Sequence, residues 1–525
     1  MVAIPISGQE GTPHCVERLP PTTRAACSLP EQAACCLSPS LRVITSFHLQ
    51  ALTYDVRRTR LSADETTPVR LYRQLRAYFS PAVLLESHDF HQARDARSVL
   101  CADALVELRV QNGKFTTTNF ADASEHSRPV ADADVFAEFE AEVARFNYTS
   151  DPGEIDGLFG FTSFDAYRFA EPTVKHVGGH DSLPDLHYFF FRFILVFDHF
   201  HEHVEVVEFI PDGQKSRTED LFAVLDRPLA EAASFRRSGE ETSDLSDKQY
   251  ETLVRNGKGH CDVGDTFQVV LSRGYEQHFQ GDDFNVYRQL RRLNPSPYCF
   301  YFDFGPYRML GSSPEALLKV KDGTATMRPI AGTYAVVGDA SVDDASAERL
   351  LADPKENAEH RMLVDLARND LSRSCHPVKV DFLRRIERYS HLMHIVSQVS
   401  GQVEGDTTPY QLYTECFPAG TLSGAPKYKA VELIYEYENK ARGAYGGGLG
   451  YVSPRGGFDH CIIIRSAVVL GDVLHYRAGA GIVSASDVVS EREEVTHKTN
   501  ALRSAILRAE ETTDEQVSAP NPLAA

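Results

Sequence analysis

No stretch of this 525-residue sequence approaches the roughly 20 consecutive apolar residues that a membrane-spanning helix requires. The longest apolar run, Tyr188 to Phe197, is interrupted by Arg192 and reads as a buried strand. Residues 1–43 lack the charged-then-apolar order of a secretory signal, and their scattered Pro, Cys and Thr carry no periodicity, so a disordered extension on a cytoplasmic protein is expected. None of the ten cysteines sits in a CxxC pair, and the chain is far larger than disulfide-dependent scaffolds, which leaves reduced thiols. Basic charge is also short: 54 Lys and Arg face 74 Asp and Glu, a net charge of -20. Nucleic acids and anionic membranes would be repelled, and an anionic substrate would need a locally positive pocket or a metal ion. Tryptophan is absent altogether.

What is present is enough chain, 42% of it hydrophobic, for one large or two medium domains. From residue 44 to 236 short β-rich runs mix with a few helices. Val69 to Tyr78 has helical spacing, Ala82 to Leu85 reads as a buried strand, and Phe189 to Phe197 with Val204 to Phe209 reads as a hairpin. The charged, Ser-rich stretch Arg237 to Lys248 is the expected linker. Residues 249–512 alternate strands (Thr266 to Ser272, Cys299 to Phe304, Ile462 to Leu470, Val473 to Arg477) with helices near Tyr287 to Leu293, Ala347 to Leu371 and Ala425 to Glu438. This order favours an α+β architecture on antiparallel sheet, with 513–525 a disordered tail.

Two clusters invite a ligand. His199, His201 and His203 alternate in DHFHEHVEV, which on a strand would set three imidazoles on one face as zinc prefers. The segment joins two apolar strands, however, and a solvated turn is the expectation. The run GAYGGGLGY (Gly443 to Tyr451) lacks the Lys-Ser/Thr ending of a phosphate loop and is read as close backbone packing. More telling are Glu356 and Glu359, three apart in a helical stretch, and Glu491 and Glu494, which repeat the spacing near the C-terminus. Each pair projects from one helix face, and four carboxylates on two helices would supply hard oxygen ligands for one Mg2+.

The segments around these pairs are GDTFQVVLSR (264–273), NPSPYCFYF (294–302), GSSPE (311–315), RPIAGT (328–333), DPKENAEHRMLVDLARNDL (353–371), ERYSHLMHIVS (387–397), FPAGTLSGAPK (417–427), GAYGGGLGY, CIIIRS (461–466) and AGAGIV (478–483). Together and in this order they resemble the chorismate-utilizing enzymes, specifically the large subunit of anthranilate synthase. The resemblance implies a β-sandwich of two antiparallel sheets with helices packed outside. It also implies a lyase that adds ammonia at C2 of chorismate, expels the C4 hydroxyl and then releases pyruvate, opening tryptophan biosynthesis. The missing tryptophan would let such an enzyme be translated when tryptophan is scarce.

The same resemblance assigns roles. Glu315 matches the general acid for the departing hydroxyl, a carboxyl that must be kept protonated by burial or by its charged neighbours. His394 matches the histidine placed at the ring for the elimination. Substrate anchoring falls to Thr333, Thr421, Tyr445, Arg465 and Lys498, with backbone at Gly332, Gly479, Ala480 and Gly481 approaching closely. Arg465 lies in an apolar strand, where a surface ion pair is out of place. Mg2+ falls to Glu356, Glu359, Glu491 and Glu494.

Two positions select among sister activities. Water-adding relatives resemble KVVLSR, with a lysine to activate a poor nucleophile; here Gln268 stands instead, which fits ammonia, already a nucleophile. Aminodeoxychorismate synthases resemble PIKGT, whereas Ala331 offers no nucleophile. No segment resembles a glutamine amidotransferase, so ammonia is expected from a separate glutamine amidotransferase subunit. LLES (84–87), with Leu85, Glu86 and Ser87, and NPSPYC, with Asn294, Pro297, Tyr298 and Cys299, resemble a tryptophan feedback site; Cys299 stands where methionine is common. The sequence departs from the family at Tyr334 to Gly338, in place of an Arg-rich stretch, and at Ser484 to Ser490, in place of an acidic, Pro-containing one. The alternatives are an enzyme that stops at aminodeoxyisochorismate or makes aminodeoxychorismate, and a non-catalytic tryptophan sensor.

Overall fold

The long strand Leu186–Asp198 reads LHYFFFRFILVFD, aromatic and β-branched almost throughout, and it is buried along nearly its whole length. A computed structural model describes residues 50–87, 96–180, 182–229, 233–388 and 392–518, with the side chains of 333, 355 and 512–518 set aside. The expected N-terminal extension and the last residues of the expected tail lie outside these. From Gln50 onward the chain forms one compact unit.

Leu186–Asp198 pairs with the still longer Arg97–Gln111, and antiparallel sheet grows from this pair as two arms. One arm runs through Ala82–Glu86, Tyr298–Asp303, Tyr307–Ser313, Ser466–Leu470, Val473–Ile482 and Gln268–Gly281. The other runs through Leu158–Thr162, Gly448–Val452, Phe458–Ile462, Ala316–Lys321, Thr324–Met327 and Leu392–Val403. Among the described residues the one parallel pairing joins Leu52–Tyr54 to Phe146–Tyr148. Two short crossings carry the chain directly from a strand of one arm to a strand of the other, at Ser313 to Ala316 and at Ile462 to Ser466. The crossings lie side by side: Ile462 N donates to Glu315 O at 3.0 Å, and Ser312 N donates to Arg465 O at 3.2 Å.

Several expectations hold. The first helix is Pro68–Leu75, capped by Thr67, and the hairpin Leu186–Asp198 with His203–Pro211 forms in antiparallel register. Others are corrected. Arg237 to Lys248 is no linker: Phe235–Ser243 is a strand paired to Gln268–Gly281, and Ser246 caps the helix Asp247–Val263 through a capping box. Eight of that strand's nine residues lie outside the core, as suits a sheet edge, so no apolar alternation marks it. The helix expected from Ala347 to Leu371 is two, Ala340–Ala352 and Pro354–Leu371, because Pro354 cannot continue the first. Ile462 to Leu470 likewise breaks into two strands at Arg465, whose backbone is left-handed (φ +50°). The C-terminal helix Val488–Ser518 continues into the segment expected as a tail.

The glycines of GAYGGGLGY do serve packing. A Cβ at Gly450 would stand 1.9 Å from Asp459 O, and one at Gly447 2.3 Å from Thr162 O.

Candidate active site

The two crossings bring Glu315 and Arg465 together. Glu315 is buried, and Thr421 Oγ1 donates to its Oε1 at 3.2 Å. Burial pushes the Glu315 carboxyl up to about 8, with Thr421, Arg465 and Lys498 pulling weakly the other way. The carboxyl is therefore largely protonated at neutral pH, as a proton donor must be. The left-handed turn at Arg465 takes the guanidinium out of strand register, and burial draws its pKa below the usual arginine range.

His394 enters from Leu392–Val403, opposite a bulge in Ile330–Ala335: Ala331 pairs with Ile395 and Tyr334 with Met393, so two residues face one. Gly332 sits in the bulge at φ +65° and turns its carbonyl to accept from His394 Nδ1 at 2.8 Å. Burial and Arg465 hold the imidazole down at about 4, so it is neutral at physiological pH. With the proton on Nδ1, Nε2 carries the lone pair. A Cβ on Gly332 would stand 2.6 Å from Leu350 Cδ1 and 3.1 Å from Glu356 Oε2, which ties the bulge to the helix Pro354–Leu371. The side chain of Thr333 lies outside the described residues.

A third wall is the strand pair Gln268–Gly281 and Val473–Ile482. Gly481 lies against the carboxamide of Gln268, so closely that a Cβ there would come within 2.2 Å of Nε2. Gln268 is 2% exposed, and its Oε1 is buried without a hydrogen bond. Gly479 approaches the Tyr445 hydroxyl, and its carbonyl accepts from Lys498 Nζ at 2.9 Å. Ala480 is fully buried between them. Lys498 Nζ also pairs with Glu494 Oε1 at 2.7 Å. Burial opposes its charge, but Glu494, Tyr445 and Glu359 outweigh that and raise its pKa. The influence of both Glu359 and Glu494 on one ammonium brings the two carboxylate-bearing helices to a common place. Glu491, one turn before, is buried with both carboxylate oxygens shut off from water. An all-carboxylate donor set of this kind suits a hard divalent cation.

The sequence reading missed what holds this wall. Glu438 and Arg442 form a fully buried ion pair, Nη2 to Oε1 at 2.6 Å. Arg442 also donates to Leu422 O and Val270 O, both at 2.7 Å, while Glu438 accepts from Ser272 N at 2.8 Å and pairs with Arg477. The pair thereby ties Thr421's loop to the Gln268 strand. Its signal was the four-residue spacing of Glu and Arg in EYENKAR.

The residues expected to bind tryptophan also converge. Leu85, Glu86, Ser87, Pro297 and Tyr298 line one cavity of about 1260 Å³ together with Tyr451 and Asp459. Glu86 is already engaged, by Arg291 Nη2 at 2.8 Å and the Tyr287 hydroxyl at 2.5 Å. Asn294 is buried against Ser312, and Cys299 is fully buried, donating to Ser296 O, so both lie behind the wall.

Comparison with known proteins gives a family match, described as chorismate binding enzyme, over residues 81–504. Anthranilate synthase component 1 of Aquifex aeolicus is 34% identical over 87% of this chain and 95% of its own length. That of Mycolicibacterium smegmatis is 36% identical over 85% and 90%. The crystal structure of anthranilate synthase component I from Streptococcus pneumoniae superposes with a TM-score of 0.68 at 31% identity, covering 77% of this chain and 92% of that one.

Proposed function

The chain belongs to the chorismate-binding enzyme family, and from that premise we propose that it is the aminating subunit of an anthranilate synthase. The reaction is chorismate plus ammonia to anthranilate, pyruvate and water. The observation that carries this reading is a buried carboxyl, Glu315, held by Thr421 at one crossing beside Arg465 at the other, where a dianionic substrate needs both an acid and a cation and where burial favours the protonated acid.

Arg465, Tyr445 and Lys498 bind the substrate carboxylates, and the backbone at Gly332, Gly479, Ala480 and Gly481 admits the ring closely. Thr421 and Thr333 complete the set of donors. As ammonia bonds to C2, the C4–O bond breaks and the hydroxyl leaves as water with the proton of Glu315. The proton lost by the new ammonium group restores Glu315. Neutral His394, held by Gly332, is aimed to take the C2 proton as the C3–O bond breaks and the departing enolpyruvate takes up a proton as pyruvate. Gln268 cannot act as a base for water, and its buried carboxamide oxygen suits an N–H donor such as ammonia. Ala331 rules out a covalent adduct from that position. Glu356, Glu359, Glu491 and Glu494 would hold Mg2+, which when bound neutralises a substrate carboxylate.

The two arms would face each other as the sheets of a sandwich, with catalytic chemistry at the crossings. The cavity beside Ser87 and Tyr298 would take tryptophan as a feedback inhibitor, its ammonium toward Glu86 and Ser87. Ammonia would come from a separate glutamine amidotransferase subunit. The described residues contain no helix long and apolar enough to cross a membrane, in keeping with work in the cytoplasm.

The test is the isolated chain with chorismate and Mg2+. Ammonium should yield fluorescent anthranilate and stoichiometric pyruvate, and glutamine should yield neither. Aminated product without pyruvate would place the enzyme among those stopping at aminodeoxyisochorismate. No turnover at all would leave a sensor.

A further inference from the structure

We infer that the turn between Leu186–Asp198 and His203–Pro211 is a binding site for a borderline divalent metal ion, Zn2+ by preference, formed by Asp198, His201 and His203. It is distinct in place and in donor chemistry from the four glutamates of the proposed catalytic site.

The hairpin register makes the site. Asp198 and His203 are cross-strand partners at the last rung. His201 is returned to them by the turn, which closes through a left-handed Glu202 at φ +49°. Asp198 Oδ1 accepts from Phe200 N at 3.0 Å and His201 N at 2.9 Å, which fixes the carboxylate and aims Oδ2 at His201 Nδ1, 2.9 Å away. One ligand atom from each of the three residues lies within 4.8 Å of the other two. Around a tetrahedral Zn2+ such atoms stand roughly 3.4 Å apart, so side-chain rotation of about an ångström closes the set without moving backbone. His201 and His203 rings are 6.0 Å apart, and the His201 side chain is 59% exposed, so an ion can arrive without opening the fold.

The alternation of three histidines was misleading about membership. His199 turns away, with Nε2 against Ser98 Oγ at 2.8 Å and its ring on Phe197. The carboxylate that replaces it lies one residue earlier, where sequence spacing gave no reason to look. Two imidazoles and one carboxylate select Zn2+, Co2+ or Ni2+ over Mg2+, and three protein ligands leave a coordination position open to water or a small anion. Two features set the affinity. Arg97 Nη2 lies 3.2 Å from Asp198 Oδ2 and competes with a cation, so binding is weaker than at a buried structural zinc. The open side faces a cavity of about 810 Å³ that shares Arg97 and Arg58 with the larger one beside Ser87. An ion here would thus draw Asp198 away from a residue that both cavities share.

The experiment is calorimetric titration of the chelator-treated full chain with ZnCl2 under saturating Mg2+, which keeps the catalytic glutamates occupied. One equivalent of Zn2+ should bind. His201→Ala combined with His203→Ala should lose that equivalent while keeping ammonium-dependent turnover, and His199→Ala should retain it. Co2+ in place of Zn2+ should give the visible absorption of a site with imidazole ligands, absent in the double variant. No binding by the wild type, an unchanged stoichiometry in the double variant, or loss in His199→Ala would each overturn the assignment. Because turnover of the double variant is read separately, failure of this site is distinguishable from failure of the catalytic reading.

Discussion

Replacing Glu315 by glutamine should cost the enzyme its activity and make it more stable, and the second effect should depend on pH. Burial lifts the carboxyl from the usual 4.5 to about 8 in the folded chain. At roughly 1.4 kcal/mol per unit, this is on the order of 5 kcal/mol. The sign follows from proton binding. Below pH 4.5 folded and unfolded chains both hold the proton and there is no penalty. Between 4.5 and 8 the unfolded chain releases it and the folded chain keeps it, so stability falls as pH rises, and above 8 the deficit is constant. Glutamine has the same shape, keeps an oxygen for Thr421 and never ionises. Glu315→Gln should therefore match the wild type in thermal midpoint near pH 4.5 and exceed it progressively up to pH 8. Its anthranilate production should fall by about 10²–10⁴, the worth of a positioned general acid. Equal midpoints at both pH values would show that burial does not hold the proton on this group. Retained activity would remove it from the mechanism altogether.

Other perturbations separate fold from function. Gly481→Ala places a methyl within 2.2 Å of Gln268 Nε2, the mobile end of a side chain, so the carboxamide should swing aside; ammonium-dependent kcat should drop several-fold with little change in thermal midpoint. Arg442→Met leaves Glu438 with Arg477 and the Ser272 donors and strips donors from Leu422 O and Val270 O, and should destabilise the chain by about 3–5 kcal/mol in denaturant titration. Ser87→Phe puts a ring on the lining of the large cavity and should abolish inhibition by tryptophan while leaving ammonium-dependent turnover intact; equal inhibition of variant and wild type would count against that site.

The family, and with it the candidate site, was legible in the sequence because the motifs keep particular side chains in order, and the structure brings Glu315, Thr421, Arg465 and Lys498 near one another. Glu315, His394, Lys498 and the paired glutamates are expected at such a site because the acid, base and hard ligands of the proposed reaction would have few substitutes. Long-range pairing was not legible. Nothing local says that Leu186–Asp198 would lie beside Arg97–Gln111, nor which strands would belong to which arm. Arg465 was read as part of a continuous strand because arginine rarely adopts a left-handed backbone, and only the crossing between arms requires it. Arg237 to Lys248 has the pattern of a linker because most of it belongs to the exposed edge strand Phe235–Ser243, which has no reason to alternate. The Glu438 and Arg442 pair was visible only as spacing, which a solvated helix face would share.

The crossing at Ser313 to Ala316 also fixes how far a signal must travel. Tyr298, on the wall of the large cavity, is the cross-strand partner of Ser313, and Ser313 lies two residues before Glu315. A ligand in the cavity and the proton on the acid are thus separated by one rung of a single hairpin, stiffened by close packing. No relay of side chains is needed. A ligand that tilted that rung would also change where Glu315 points, so occupancy of the cavity would then be felt at the carboxyl without any intermediate part.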